Sequence, residues 1–229
     1  MSIINMNPMD MNYCIRRLPK IVRETMKTEG SKLLLGGGFV RSCITREEVN
    51  DIDLFVDSYE TEDRIIKLLK TSKDRLYITR NATTILRESG VPIQIIHRWM
   101  YKAPEDLIYD FDFSICCAVI WYSDEQPSGV VHGRYYQDLA AKRLVYMQPT
   151  REEEAGGSIL RVLKYYRKGY TITLDSFGSV IAKMMSNVDM KKTGVELEKV
   201  ITGLLVEVDP HAILGNDVVQ EHFENTAGD

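Results

Sequence analysis

The stretch "LLLGGGFVRSCITREEVNDIDLFVD", residues 33–57, limits the folds open to this chain more than any other. It sets an apolar run against three glycines, and twelve residues separate Gly38 from Asp51 and an Asp-Ile-Asp embedded in hydrophobics. A short apolar run stopped by glycines reads as a buried strand and a turn. The spacing therefore predicts a strand over 32–36, a helix starting in "FVRSCI" and a second strand over 51–57.

In that second strand Asp51 and Asp53 project to one side, roughly 6.6 Å apart, while Ile52 and Leu54 face a core. Paired carboxylates suit a hard divalent ion such as Mg²⁺, and two ions about 4 Å apart can clamp both oxygens of a phosphoryl transfer. Glycines between a strand and a helix start let backbone N–H groups approach phosphate oxygens, and the helix end adds positive potential. Gly37, Gly38 and Arg41 are thus candidates for holding a triphosphate. Ser42 either bonds a phosphate or caps the helix. An Asp-x-Asp or a triple glycine alone is ordinary turn chemistry; strand, turn, helix and strand in this order give the pair its functional reading.

Before this stretch, residues 1–18 are Met-rich with no clear period, and Pro19 opens a helix to about Lys27. After it, 60–71 has helical spacing, "RLYITR", "TTILRE" and "PIQIIHR" read as strands, and 103–110 as a short helix. The longest strand expected is "DFSICCAVIWY", 112–122. By alternation Asp110, Asp112 and Ser114 would share one of its faces, making Asp112 a candidate third metal carboxylate, with a structural role the alternative. The acidic linker "TREEEAGGS" marks a boundary, beyond which helices are expected near 158–168, 175–187 and 192–206, then a polar tail. The division expected is an N-terminal segment 1–30, a catalytic domain 31–149 and a helical, neck-like domain 150–229.

These residues resemble the nucleotidyltransferase superfamily that includes DNA polymerase β, and within it the tRNA CCA-adding enzymes and bacterial poly(A) polymerases. "GGFVRS" followed by "DID" is similar to the family's Gly-Gly-x-Val-Arg-Asp and Asp-x-Asp, with the same interval. "DFDFSICC" is similar to its Arg-Arg-Asp-Phe-Thr-Ile-Asn-Ala, "YQDLAAKRL" to its Asp-Leu segment, and "LRVLKYYRKGYTI" to its neck helix, so the likeness covers residues 33–172. The resemblance implies an α+β fold, a mixed sheet with helices packed on it and a small helical domain behind. It implies transfer of a nucleoside monophosphate from ATP or CTP to an acceptor hydroxyl, an RNA 3′ end as in tRNA processing, with release of pyrophosphate. Two Mg²⁺ ions would sit on Asp51, Asp53 and Asp112, with Arg161 and Arg167 contacting the nucleotide. The chain departs from the family in three places. Gly157 and Ser158 stand where CCA-adding enzymes carry a base-selecting Glu-Asp, Asp110 and Phe111 replace two arginines, and Gln94 is all that "PIQII" offers as a neighbouring ligand.

A formal net charge of −4 argues against a broad electrostatic grip on nucleic acid, so RNA contact is expected to be local, at "LRVLKYYRKGY". The six acidic residues of 207–229, unaccompanied by Lys or Arg, would repel it. Four cysteines without metal-ligand spacing read as buried thiols, and the four histidines as structural. No apolar run is long enough for a membrane span and the start lacks a secretory pattern, so a cytoplasmic protein is expected. Two other functions fit the same residues: nucleotidylation of a protein or small molecule, and a non-catalytic nucleotide- or RNA-binding relative.

Overall fold

The computed structural model describes residues 2–149, 157–186, 188–189 and 191–208. It divides into two compact units between Ala141 and Lys142. The first contains β1 (Ile3–Asn5), α1 (Pro8–Arg17), α2 (Lys20–Glu29), β2 (Leu33–Gly36), α3 (Gly38–Thr45), β3 (Ile52–Val56), α4 (Tyr59–Leu69), β4 (Arg75–Ile78), β5 (Ala82–Leu86), β6 (Ile93–Ile96), β7 (Ala118–Ser123), β8 (Gln126–His132) and α5 (Tyr135–Ala140). Short 3-10 turns occupy Gly30–Lys32, Pro104–Asp110 and Ser114–Cys116.

These strands form one eight-stranded sheet in the order β1-β8-β7-β2-β3-β6-β5-β4. It is mixed: β3 and β6 run parallel, and the other pairs are antiparallel. The one parallel pair needs a crossover, which α4 and the β4–β5 hairpin supply. Leu33, Leu34 and Leu35 of β2 are all fully buried, as expected of a central strand covered on both faces. In β3 the pattern alternates, Ile52 and Leu54 buried against a half-buried Asp53, so the acid side faces away from that part of the core.

The helices are set by local signals. Asn7 caps α1 by accepting from the Met9 N–H at 2.8 Å, with Pro8 in the first turn. Ser58 caps α4, accepting from the Thr61 N–H at 3.2 Å, and Ile65 and Leu69 give that helix its buried face. Residues 2–29 belong to the first unit: β1 pairs with β8, and Val22 and Met26 of α2 are fully buried. The Met-rich start hid β1 and α1, because the partner of β1 lies far along the chain.

The expected strand over 112–122 is corrected. Residues 114–116 form a 3-10 turn, with the Cys116 N–H donating to the Phe113 carbonyl at 2.9 Å, and β7 begins only at Ala118. The Ser114 hydroxyl donates to Asp138 of α5 at 2.7 Å, a side-chain bond that favours a turn over a ladder. Strand alternation therefore does not apply across Asp110, Asp112 and Ser114.

The second unit contains β9 (Arg143–Leu144), α6 (Gly157–Arg167), β10 (Thr171–Ile172), α7 (Leu174–Met185) and α8 (Gly194–Val208), with β9 and β10 parallel. Leu160, Val162 and Tyr165 form the buried side of α6, and the Ser176 hydroxyl accepts from the Tyr146 N–H at 3.0 Å. Most of the acidic linker, 150–156, and the polar tail lie outside the described residues.

Candidate functional site: the glycine turn and the acidic strand

Gly37 turns the chain from β2 into α3 with φ 66° and ψ −139°, a conformation open to glycine alone at no steric cost. A Cβ there would lie 2.9 Å from Asp53 Oδ2 and 3.6 Å from the Phe111 ring. The glycine turn is thus pressed against the carboxylate of β3. At Gly38 a Cβ would stand 4.0 Å from both Asp53 Oδ2 and Arg41 Nη2, so these two groups flank the first turn of α3. The bare backbone of 36–38, the start of an eight-residue helix and one carboxylate meet at one place.

Phe111 forms the apolar side of this place. Its ring stands edge-on to Phe55 at 5.9 Å, and Phe55 meets Tyr101 edge-on at 6.1 Å. Phe55 lies two residues beyond Asp53, on the same side of β3. Where the resemblance places an arginine, this chain packs a ring, a contribution that sequence reasoning recorded only as a lost cation. The neighbouring Asp110 accepts from the Tyr101 hydroxyl at 2.8 Å.

Asp51 is half-buried, one residue before β3, and Asp53 is half-buried within it. In register with Asp53 on β6 stands Gln94. Asp112 is buried, at 4% exposure, in the segment before the 3-10 turn. Among the described residues no three His, Cys, Asp or Glu side chains gather as a metal-holding group. Asp51 and Asp53 are carboxylates of the kind that hold Mg²⁺ together with substrate phosphates.

Arg41 is buried at 3% exposure rather than extended from the helix. Its Nη2 donates to the Ser42 hydroxyl at 3.0 Å, and its Nε lies 3.5 Å from the Glu47 carboxylate. Ser42, equally buried, therefore partners Arg41; it does not cap α3, whose cap position is Gly37. Glu47 is a residue the sequence reading passed over. It stands where the chain leaves α3, its N–H donating to the Ser42 carbonyl at 2.9 Å, and it joins the helix to the loop that reaches Asp51.

In the second unit Arg161 and Arg167 are exposed on α6, together with Lys164 and Tyr166, while Tyr165 is buried. Ser158, in the place of a base-selecting acid, is buried at 6% exposure, as is Gly157. Two histidines in the first unit have structural partners. His97 Nδ1 lies 2.7 Å from Glu62, and the buried His132 accepts from the Arg134 N–H at 3.2 Å. All four cysteines are buried thiols.

Comparison with known proteins adds a family and a fold. Residues 10–142, more than half of the chain, match the Gabija anti-defense 2 family. A Bacillus phage SPbetaL7 protein described as Gabija anti-defense 2 is 22% identical over 158 residues, covering 68% of this chain and 38% of that relative. Among solved structures, a Thermotoga maritima CCA-adding enzyme complexed with tRNA is similar at a TM-score of 0.59 and 15% identity, over 99% of this chain and 54% of that one. A tRNA nucleotidyltransferase complexed with a primer tRNA and an incoming ATP analog is similar at 0.55 and 14% identity, over 85% and 57%. The chain spans well under half the length of its phage relative and little more than half of these enzymes. At such identity the likeness shows the fold alone: the polymerase β-type nucleotidyltransferase fold, α+β, with a helical C-terminal region.

Proposed function

We start from the family to which the chain belongs, Gabija anti-defense 2, and propose that it is a nucleotidyltransferase acting against a bacterial defence. It would transfer a nucleoside monophosphate from ATP or CTP to an acceptor hydroxyl, an RNA 3′ end, and release pyrophosphate. The observation that carries this reading is the apposition of Gly37 and Asp53: a side-chain-free turn at a helix start, where an added Cβ would lie 2.9 Å from the Asp53 Oδ2. A side chain at 37 would fill the space that a phosphate needs.

In this reading the N–H groups at the start of α3 bind the triphosphate and align it, which is most of what phosphoryl transfer asks of a protein. Asp51 and Asp53 would hold Mg²⁺ with the phosphates, and that ion when bound supplies charge neutralisation at the transferring group. Arg41, clasped by Glu47 and Ser42, adds fixed positive charge beside Gly38 without swinging into the site. Phe111 excludes water from one side of the turn. Exposed Arg161, Lys164 and Arg167 support a local RNA contact in the second unit.

A second acceptor reading, nucleotidylation of a protein, is favoured by one observation. The positions that read the base in CCA-adding enzymes hold Gly157 and Ser158 here, and both are buried. The test is incubation with Mg²⁺ and each α-labelled NTP, in the presence of RNA or of host protein, with Asp51→Asn/Asp53→Asn as control. Ribonuclease-sensitive label absent from the control supports the RNA acceptor, and protease-sensitive label the protein. No label on either from any NTP removes both.

A further inference from the structure

The eight-stranded sheet ends at β4, and that end is left open. All four residues of Arg75–Ile78 are exposed, including Leu76 at 36%, Tyr77 at 50% and Ile78 at 67%. Among the described residues β4 pairs with β5 and with no other strand, so the outward main-chain groups of Leu76 and Ile78 have no ladder partner there. The phase of that backbone follows from the hairpin. The Thr79 N–H donates inward to the Ala82 carbonyl at 2.9 Å, so by antiparallel alternation the N–H and C=O of Tyr77 also point inward. Those of Leu76 and Ile78 point out. Leu76 and Ile78 thus combine outward main-chain groups with exposed apolar side chains.

The charge around this edge is opposite to that of the whole chain. Between 70 and 80 the exposed charges are Lys70, Lys73, Arg75 and Arg80, and the one acid, Asp74, is buried, accepting from the Thr71 N–H at 2.8 Å. Lys73 also reaches Glu88 at 3.0 Å. Net charge over the full sequence is −4. Sheet edges are commonly guarded by Lys and Arg, but guarding does not require the exposed aliphatic pair Leu76 and Ile78 beside them.

We propose that β4 is a docking edge for an extended, acidic segment of a protein partner, which adds to the sheet as a ninth strand. The partner's apolar residues would lie over Leu76 and Ile78, and its acids, on alternate positions, would face Arg75 and the Tyr77 side. A second copy of this chain fits less well, because the basic flank would meet itself. A nucleic acid would use the charge and leave the outward N–H groups and the apolar pair unmatched. The edge lies three strands, about 14 Å, from β3 and four strands from β2, which leads into the glycine turn, so docking here leaves the candidate site open and does not depend on the nucleotidyl-transfer reading.

The probe is a capped, dye-labelled eight-residue peptide alternating Val and Glu, followed by fluorescence anisotropy against the full chain. Its binding should weaken at least tenfold in Ile78→Pro, which removes an outward N–H and spares the β5 ladder, and in Arg75→Glu/Arg80→Glu. A Val-Lys peptide should bind at least tenfold less tightly than the Val-Glu one. Circular dichroism checks folding; if Ile78→Pro unfolds, the charge-reversed variant decides. Four results would each overturn the proposal: no binding at millimolar peptide, equal binding of both peptides, unchanged binding in the charge-reversed variant, or displacement by a single-stranded RNA oligomer. So would a wild-type dimer in sedimentation that Arg75→Glu/Arg80→Glu leaves intact and Ile78→Pro dissolves, since that assigns the edge to self-association.

Discussion

Gly37→Ala would impose two penalties on one methyl group. The left-handed φ of 66° costs an L-residue on the order of 1–2 kcal/mol, and the new Cβ would press on Asp53 Oδ2. The expected outcome is a lowered melting temperature together with loss of nucleotide binding, measured by thermal shift with and without ATP. At His132 the effect concerns pH. Burial, followed by the nearby Arg134, holds the imidazole below its ordinary range, so the unfolded chain takes up a proton near pH 6.5 before the folded one does. Stability should therefore be full above about pH 6.5 and decline as pH falls towards the folded value. Urea titrations should show a shallower decline in His132→Gln over that window. The strand that carries Asp53 was legible from spacing because strand alternation is local. Phe111 and Glu47 were not, because their parts depend on a ring and a carboxylate arriving from elsewhere in the chain.

Elements ending in side-chain caps give a cleaner test of local reasoning. Ser58 accepts from the Thr61 N–H and donates to Asp57 at 3.1 Å, and the Thr61 hydroxyl donates to Asp57 at 2.6 Å. Burial pushes the Asp57 carboxyl up, but the Thr61 and Ser58 hydroxyls together with the Lys102 and Lys32 charges outweigh it and hold the group below the usual carboxylate range. Ser58→Ala should cost about 1 kcal/mol in urea unfolding at neutral pH. The acidic first turn and apolar spacing made α4 readable, as the glycines made β2, α3 and β3. The segment 112–122 misled because its hydrophobic run is continuous. Such a run fixes burial without fixing period, and the Ser114–Asp138 bond decided for a turn.

At the scale of the molecule, the sheet's other edge strand is β1, whose Ile3 stands opposite His132. The Met6 N–H donates to the Gly129 carbonyl at 2.9 Å and the Met6 side chain is buried at 3% exposure. Deleting residues 2–6 should cost about 3 kcal/mol and lower the melting temperature in calorimetry, chiefly through Met6 and the lost ladder. No helix among the described residues is long and apolar enough to cross a membrane. The mixed sheet was legible as a class, yet its strand order was not, since register across 129 positions, from 3 to 132, leaves no trace in any window of sequence.

That separation sets a timetable for the growing chain. A ribosome adding on the order of 10 residues per second would release β1 roughly 13 seconds before its partner exists. Throughout that interval β1 has no β8 to pair with, whereas β2 and β3, made within about two seconds of each other, can pair early. β1 can therefore join the sheet only once β8 has been made. A bulky tag fused ahead of it would leave nascent folding of the centre untouched and obstruct its last step.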